Sequence, residues 1–93
     1  MTVYVDPPIV YGRRVGPHPP DTPWCHMWAD DLEELHAMAE AIGMQRAWFQ
    51  DRKELPHYDL VPSRRAAAVA RGAVEVDHAF LVRWMEATAD RGP

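Results

Sequence analysis

The fold is decided by residues 24–43, whose sequence is WCHMWADDLEELHAMAEAIG. The first five residues predict a short strand, in which alternation places Cys25 on one face of a sheet and His26 on the other. Asp31, with Glu34 three residues later, is typical of a helix N-terminus. Apolar residues then recur at helical spacing until a glycine ends the helix. A strand that leads into an amphipathic helix indicates an α/β fold.

The same alternation continues on both sides of this stretch. Further strands are predicted at residues 3–5, 47–50, 57–60 and 73–76, and further helices at residues 64–71, capped by Ser63, and beyond Asp77. A chain of 93 residues is too short for two domains. We therefore expect a single α/β domain over residues 1–93, in two or three layers, with a mostly parallel sheet of short strands and about three helices.

Residues 7–23 form a connector that holds six of the nine prolines in the chain. Proline fixes φ and has no N–H to donate, so we expect this connector to be stiff and to be neither helix nor strand. It carries Tyr11 and Arg13. Two interpretations stay open, a lid over a binding site or an arm that contacts a neighbouring subunit.

Charge and composition exclude several classes of protein. The net charge of −4 argues against the broad basic surface that non-specific duplex binding requires. Cys25 is the single cysteine, so no intramolecular disulfide can form and a reducing compartment is expected. No signal peptide or membrane-length apolar run is present, and neither are the phosphate-binding loop, dinucleotide or nucleophile-elbow motifs. These features predict a cytoplasmic protein without a membrane partner.

The strongest polar motif is His57-x-Asp59, in a segment predicted to be extended. Residues i and i+2 of a strand point to the same side, so the imidazole and the carboxylate can act together as a general base with its orienting partner, or as two metal ligands. Alternatively, both side chains only bind loop backbone.

A second motif, Ser63-Arg64-Arg65, opens the predicted helix that follows. Free backbone N–H groups and the positive end of the helix dipole favour an anion there, and two guanidinium groups would add charge-assisted bonds to a phosphate. The alternative is that Ser63 caps the helix while both arginines are solvated.

Asp6 follows the first predicted strand. In a parallel sheet this position lies at the carboxyl edge, where open α/β sheets bind their ligands, and Arg13 in the connector would suit a phosphate beside it. The alternative is that Asp6 only caps the turn before Pro7.

Metal-ligating residue types are present, but their spacing predicts no metal site. Cys25 and His26 are adjacent, so they point to opposite faces of a strand, and no Cys-x-x-Cys or His-x-x-x-His pair exists. His36 lies at the edge of an apolar helix face, where a histidine is more often a hydrogen-bonded core residue than a ligand. The sequence does not identify a cofactor.

Eight short strings cover nearly the whole chain in order and together resemble a known family. They are Val3–Asp6, Gly12-Arg13, Cys25–Met27, Glu34–Ala39, Trp48–Gln50, His57–Asp59, Ser63–Ala66 and Gly72–Glu75. Their pattern is similar to the bacterial and phage family called domain of unknown function 4031. The resemblance implies no particular activity. Arg64 stands where a lysine is typical of the family, which keeps the charge and changes the donor geometry.

Two functional hypotheses follow. The first is a domain that binds or hydrolyses a phosphate-containing small molecule or nucleic-acid end. Its predicted site residues are His57 and Asp59 for proton transfer, and Asp6, Arg13, His26, Ser63, Arg64 and Arg65 for binding. The second is a non-catalytic interaction module that forms a homo-oligomer through an aromatic face of Trp24, Trp28 and Trp48. Convergence of Asp6, His26, His57, Asp59 and Arg65 in one cleft would favour the first hypothesis, and scatter over separate faces would exclude it.

Overall fold

A five-stranded sheet and three α-helices form the fold in the computed structural model, which describes residues 2–89. The strands are β1 (Val3–Val5), β2 (Ile9–Val10), β3 (Pro23–Ala29), β4 (Tyr58–Leu60) and β5 (Val74–Glu75). The helices are α1 (Leu32–Ala41), α2 (Pro62–Ala70) and α3 (His78–Ala89), with a 3₁₀ turn at Arg46–Trp48. None of the helices within residues 2–89 is long and apolar enough to cross a lipid bilayer.

The sheet is mixed, so the prediction of a mostly parallel sheet is wrong. The long strand β3 pairs antiparallel with β1, β2 and β4, and among the described residues 2–89 the parallel pair is β1 with β5. A parallel neighbour needs a crossover, usually a helix, whereas the chain returns from β1 to β3 through the helix-free connector. Because β1 and β4 both oppose β3, they run in the same direction as each other and as β5.

Alternation along the strands divides the sheet into two packed faces. On one face, Val5, Cys25 and Met27 pack with buried residues of α1 and α2. On the other, Tyr4 and Trp28 pack with residues of α3. The helices therefore lie on both sides of the sheet, and the domain has three layers.

Local signals explain most helix boundaries. Asp31 caps α1, because its side chain accepts the backbone N–H of Glu34 at 2.8 Å. Gly43 follows with φ of +82°, a left-handed conformation that favours glycine. The predicted cap of α2 is wrong, however: α2 begins at Pro62 after the extended Val61, and Ser63 lies inside the first turn. Proline suits that first position because the N–H it lacks would have no helical partner.

Two segments differ from the sequence prediction. Residues 47–50 do not form a strand, since only Gln50 pairs, in an isolated bridge with His57, and Phe49 is half-buried by packing on the Tyr58 ring at 5.5 Å. The connector is not free of strand either. Ile9 and Val10 form β2 against the start of β3, because two β-branched residues with free N–H groups follow the Pro7-Pro8 pair.

Candidate functional site

The first component of the candidate site is a buried carboxylate that holds a histidine. Asp6 follows β1 and is 2% exposed. One carboxylate oxygen accepts the backbone N–H of His26 at 2.6 Å and the other lies 2.8 Å from His26 Nδ1. Because a carboxylate only accepts, the Nδ1 atom of His26 carries the proton, and the neutral ring keeps its lone pair on Nε2. The hydrogen bond to Asp6 raises the pKa of His26, although burial opposes this.

The second component is His57, whose ring is fixed in the same way. Its Nδ1 lies 2.6 Å from the backbone carbonyl of Leu55, and a carbonyl likewise only accepts. Its Nε2 faces a carboxylate oxygen of Asp59 at 3.2 Å. Burial would raise the pKa of Asp59, but the hydrogen bond and charge of His57, with smaller contributions from His26 and Arg13, hold it below its usual value.

Strand pairing joins the two components into one group. His26 of β3 lies directly opposite Asp59 of β4, and the rings of His26 and His57 are 4.9 Å apart. One nitrogen of each histidine and one oxygen of Asp59 all lie within 4.8 Å of one another. We call Asp6, His26, His57 and Asp59 the His–Asp cluster. It occupies the sheet face that α3 covers elsewhere, and the side chains of His26 and Asp59 are 26% and 39% exposed.

Basic and connector residues border the His–Asp cluster. The Nε atom of Arg65 donates to the backbone carbonyl of Asp6 at 2.9 Å, and its Nη1 donates to Glu75 at the same distance. From the connector, the charge of Arg13 makes a small contribution to lowering the pKa of Asp59. Burial and the charges of Asp6 and Asp59 raise the pKa of Tyr11.

The Ser63-Arg64-Arg65 motif does not act as one unit. Ser63 is exposed in the first turn of α2. Arg64 points away from Arg65 and donates to the carbonyl of Ile42 at the end of α1. Successive helical residues are about 100° apart around the axis, which is why neighbours in the chain separate here. Of this motif, Arg65 alone contacts the His–Asp cluster.

Two other candidate metal ligands, His36 and Cys25, have structural roles in the core. His36 lies 2.7 Å from the hydroxyl of the fully buried Tyr58, so it satisfies a polar group of the core. Cys25 faces the α1 and α2 side of the sheet, opposite His26. Burial raises the pKa of its thiol to about 12, so the thiol stays protonated.

The tryptophans do not form a shared exposed face. Trp28 is completely buried beneath α3, and Trp24 is half-buried against His18, with ring centroids 5.1 Å apart. Trp48, in the 3₁₀ turn, is 44% exposed. Trp28 therefore cannot contribute to the aromatic oligomer interface that was predicted for Trp24, Trp28 and Trp48.

Comparison with known proteins gives one match. A family model described as "Protein of unknown function (DUF4031)" matches residues 3–88, nearly the whole chain. No curated protein and no solved structure matches. The matched range contains every residue of the His–Asp cluster and Arg65.

Proposed function

We propose that this chain, a member of the DUF4031 family, binds a phosphate-containing ligand at the His–Asp cluster and hydrolyses it. The observation that carries the proposal is convergence. Asp6, His26, His57 and Asp59 come from three separate segments. They are joined by the hydrogen bond between Asp6 and His26, the ring contact between His26 and His57 and the ion pair between His57 and Asp59, and Arg65 donates to the Asp6 carbonyl. Side chains with purely local structural roles have no need to meet in this way.

Proton transfer is supported by the way each imidazole is held. A buried carboxylate orients His26 and leaves its Nε2 lone pair available to take a proton from water, the arrangement that general bases use. The oxygen of that water would attack phosphorus as the bond to the leaving oxygen breaks. His57, when protonated on both nitrogens beside Asp59, can return a proton to the leaving group.

The ligand class is supported by position and charge. The carboxyl ends of β1, β4 and β5 meet at one edge of the sheet, since these strands run in the same direction. Open α/β sheets bind ligands at that kind of edge. Arg65 and Arg13 bring positive charge to it, which suits a nucleotide or a phosphorylated nucleic-acid end.

Ligand titration tests this function. Thermal unfolding is followed with inorganic phosphate, nucleoside phosphates, and an oligonucleotide with or without a 5′-phosphate. A ligand present at about 100 times its Kd stabilises the native state by about 2.7 kcal/mol, which is readily seen as a higher Tm. Phosphate release is measured in parallel.

A matched pair of variants makes the test specific. His26→Asn should abolish phosphate release, whereas His78→Asn, at an exposed position at the start of α3, should not change it. Absence of both a Tm increase at millimolar ligand and phosphate release would contradict the proposal. A ligand response that His26→Asn leaves intact would place binding outside the His–Asp cluster.

A further inference from the structure

We propose that His26, His57 and Asp59 bind one divalent transition-metal ion, with Zn²⁺ as the representative ion. The ligands would be the Nε2 atoms of the two histidines and a carboxylate oxygen of Asp59. Metal binding needs only the geometry of the His–Asp cluster, so it does not depend on the phosphate ligand proposed above.

The spacing of the donor atoms is close to what a metal requires. Tetrahedral ligands at 2.0 to 2.2 Å from zinc lie roughly 3.3 Å from one another. The separation of His57 Nε2 and Asp59 Oδ1 is 3.2 Å, and one nitrogen of each histidine and one oxygen of Asp59 lie within 4.8 Å of one another. His26 is the ligand that must move inward, and its partly exposed side chain leaves room for a small ring adjustment.

Both histidines are held in the tautomer that metal binding uses. A ligating histidine usually donates its second ring N–H to a carboxylate or a backbone carbonyl, which fixes the ring and leaves the other nitrogen for the metal. His26 Nδ1 has the Asp6 carboxylate as this partner, and His57 Nδ1 has the carbonyl of Leu55. Two such supported imidazoles beside one carboxylate are more than a chance grouping of polar residues would provide.

The contact between His57 and Asp59 is one that a cation stabilises. His57 Nε2 lies 3.2 Å from a carboxylate oxygen of Asp59, and because its Nδ1 faces the carbonyl of Leu55, a neutral His57 would present a lone pair to that oxygen. Either a second proton on His57 or a metal ion shared by the two atoms satisfies the contact, so the metal would take the place of that proton.

The donor types select the class of ion. Mg²⁺ and Ca²⁺ prefer oxygen ligands, whereas imidazole suits zinc and its first-row neighbours. Cys25 is adjacent in sequence but lies on the opposite sheet face, so the set has no sulfur. Three protein ligands leave a coordination position for water, as in catalytic zinc sites. Where hydrolysis also holds, that water would be the nucleophile, and His26 and His57 would both hold the metal instead of exchanging protons; the proton of the water would then pass to solvent, and solvent would protonate the leaving oxygen.

The test uses tag-free protein treated with EDTA and dialysed, so that no foreign histidines compete. Zn²⁺ is titrated in the presence of a chromophoric chelator, and Co²⁺ is titrated while its visible absorption is followed. The expected result is binding of one ion per chain, an increase in Tm, and displacement of the His26 and His57 Nε2 resonances in ¹⁵N NMR.

Variants locate the ion. In His26→Asn the asparagine can still donate to Asp6, but it has no atom at the Nε2 position. Loss of a group that hydrogen-bonds a metal ligand typically weakens metal binding by roughly 10- to 100-fold. His26→Asn removes a ligand itself, so it should weaken Zn²⁺ binding by more than that. Asp59→Asn should also weaken it, and His78→Asn should not. Circular dichroism confirms that each variant is folded.

The outcomes separate the two proposals. Absence of Zn²⁺ binding, or binding that both His26→Asn and Asp59→Asn leave unchanged, overturns the metal site. Zn²⁺ binding without any response to phosphate compounds supports the metal site and contradicts the hydrolytic function. A response to phosphate compounds that persists in EDTA, with no Zn²⁺ binding, supports the phosphate-binding function and overturns the metal site.

Discussion

Replacing Asp6 by asparagine changes the hydrogen bonding of His26 while preserving side-chain shape. The single oxygen of the asparagine amide can still accept the backbone N–H of His26, which a carboxylate oxygen of Asp6 accepts at 2.6 Å. The amide NH₂ then faces Nδ1 of His26, donor against donor, where the wild-type separation is 2.8 Å. His26 must therefore shift its proton to Nε2 to keep this bond. The shift removes the lone pair that both proposals require.

The stability cost follows from two weakened bonds. Hydrogen bonds to a charged group contribute about 1.5 to 3 kcal/mol, against about 0.5 to 1.5 kcal/mol for neutral ones. Both bonds to Asp6 become neutral in Asp6→Asn, so we expect a loss of roughly 2 kcal/mol. For a domain of this size that loss lowers Tm by roughly 8 to 16 °C.

Two measurements test the reasoning. Urea unfolding in EDTA gives the free energy of unfolding, and long-range ¹H–¹⁵N NMR gives the tautomer of His26. The wild type should show the proton on Nδ1 and Asp6→Asn should show it on Nε2. Asp51→Asn, at an exposed position, is the control. A loss below about 0.5 kcal/mol, the range of ordinary surface substitutions, together with an unchanged tautomer, would refute the role assigned to Asp6.

Three further predictions concern stability. Asp6 raises the pKa of His26 in the folded state above the ordinary value of 6.5. The stability that this pair contributes is therefore fully present below pH 6.5 and is lost as pH rises through the folded-state pKa. Urea unfolding in EDTA should show that Asp6→Asn loses more stability near pH 6 than near pH 8.5. Gly43→Ala should cost about 1 to 2 kcal/mol by chemical unfolding, since φ there is +82°, and a cost near zero would contradict a left-handed Gly43. Leu81→Ala should cost about 2 to 5 kcal/mol because the side chain is 3% exposed, whereas Val82→Ala, at an exposed neighbour, should cost much less; equal losses would argue against the packing of α3 on the sheet.

Local patterns were sufficient to predict most of the elements. The Asp31 cap and the glycine at 43 correctly bound α1, and Asp77 correctly begins α3 by accepting the N–H of Phe80 at 2.8 Å. These signals act within four or five residues of the chain, so they can be read without a structure. The strand prediction at residues 47–50 was wrong: a 3₁₀ turn spans Arg46–Trp48, and Phe49 packs on Tyr58.

The sequence identified residues of the candidate site but not how those residues are placed relative to one another. Alternation placed His57 and Asp59 on one side of an extended segment, and the structure has them in contact. The partnership with His26 could not be read from spacing, because 30 positions separate His26 from His57 and no local pattern records which strands are neighbours. The spacing patterns of metal ligands in sequence therefore did not identify the group of His26, His57 and Asp59.

Signals that act within a few residues, namely side-chain alternation, helix caps and proline geometry, identify most of the strands, the three helices and the face of β3 that carries His26. Strand direction and register are different in kind, because they depend on how two sheet faces are buried at once by helices far apart in sequence. The antiparallel pairing of β3 with β1 on one side and with β4 on the other places His26 opposite Asp59 and next to Asp6. The tertiary fold thus converts separate polar residues into the His–Asp cluster.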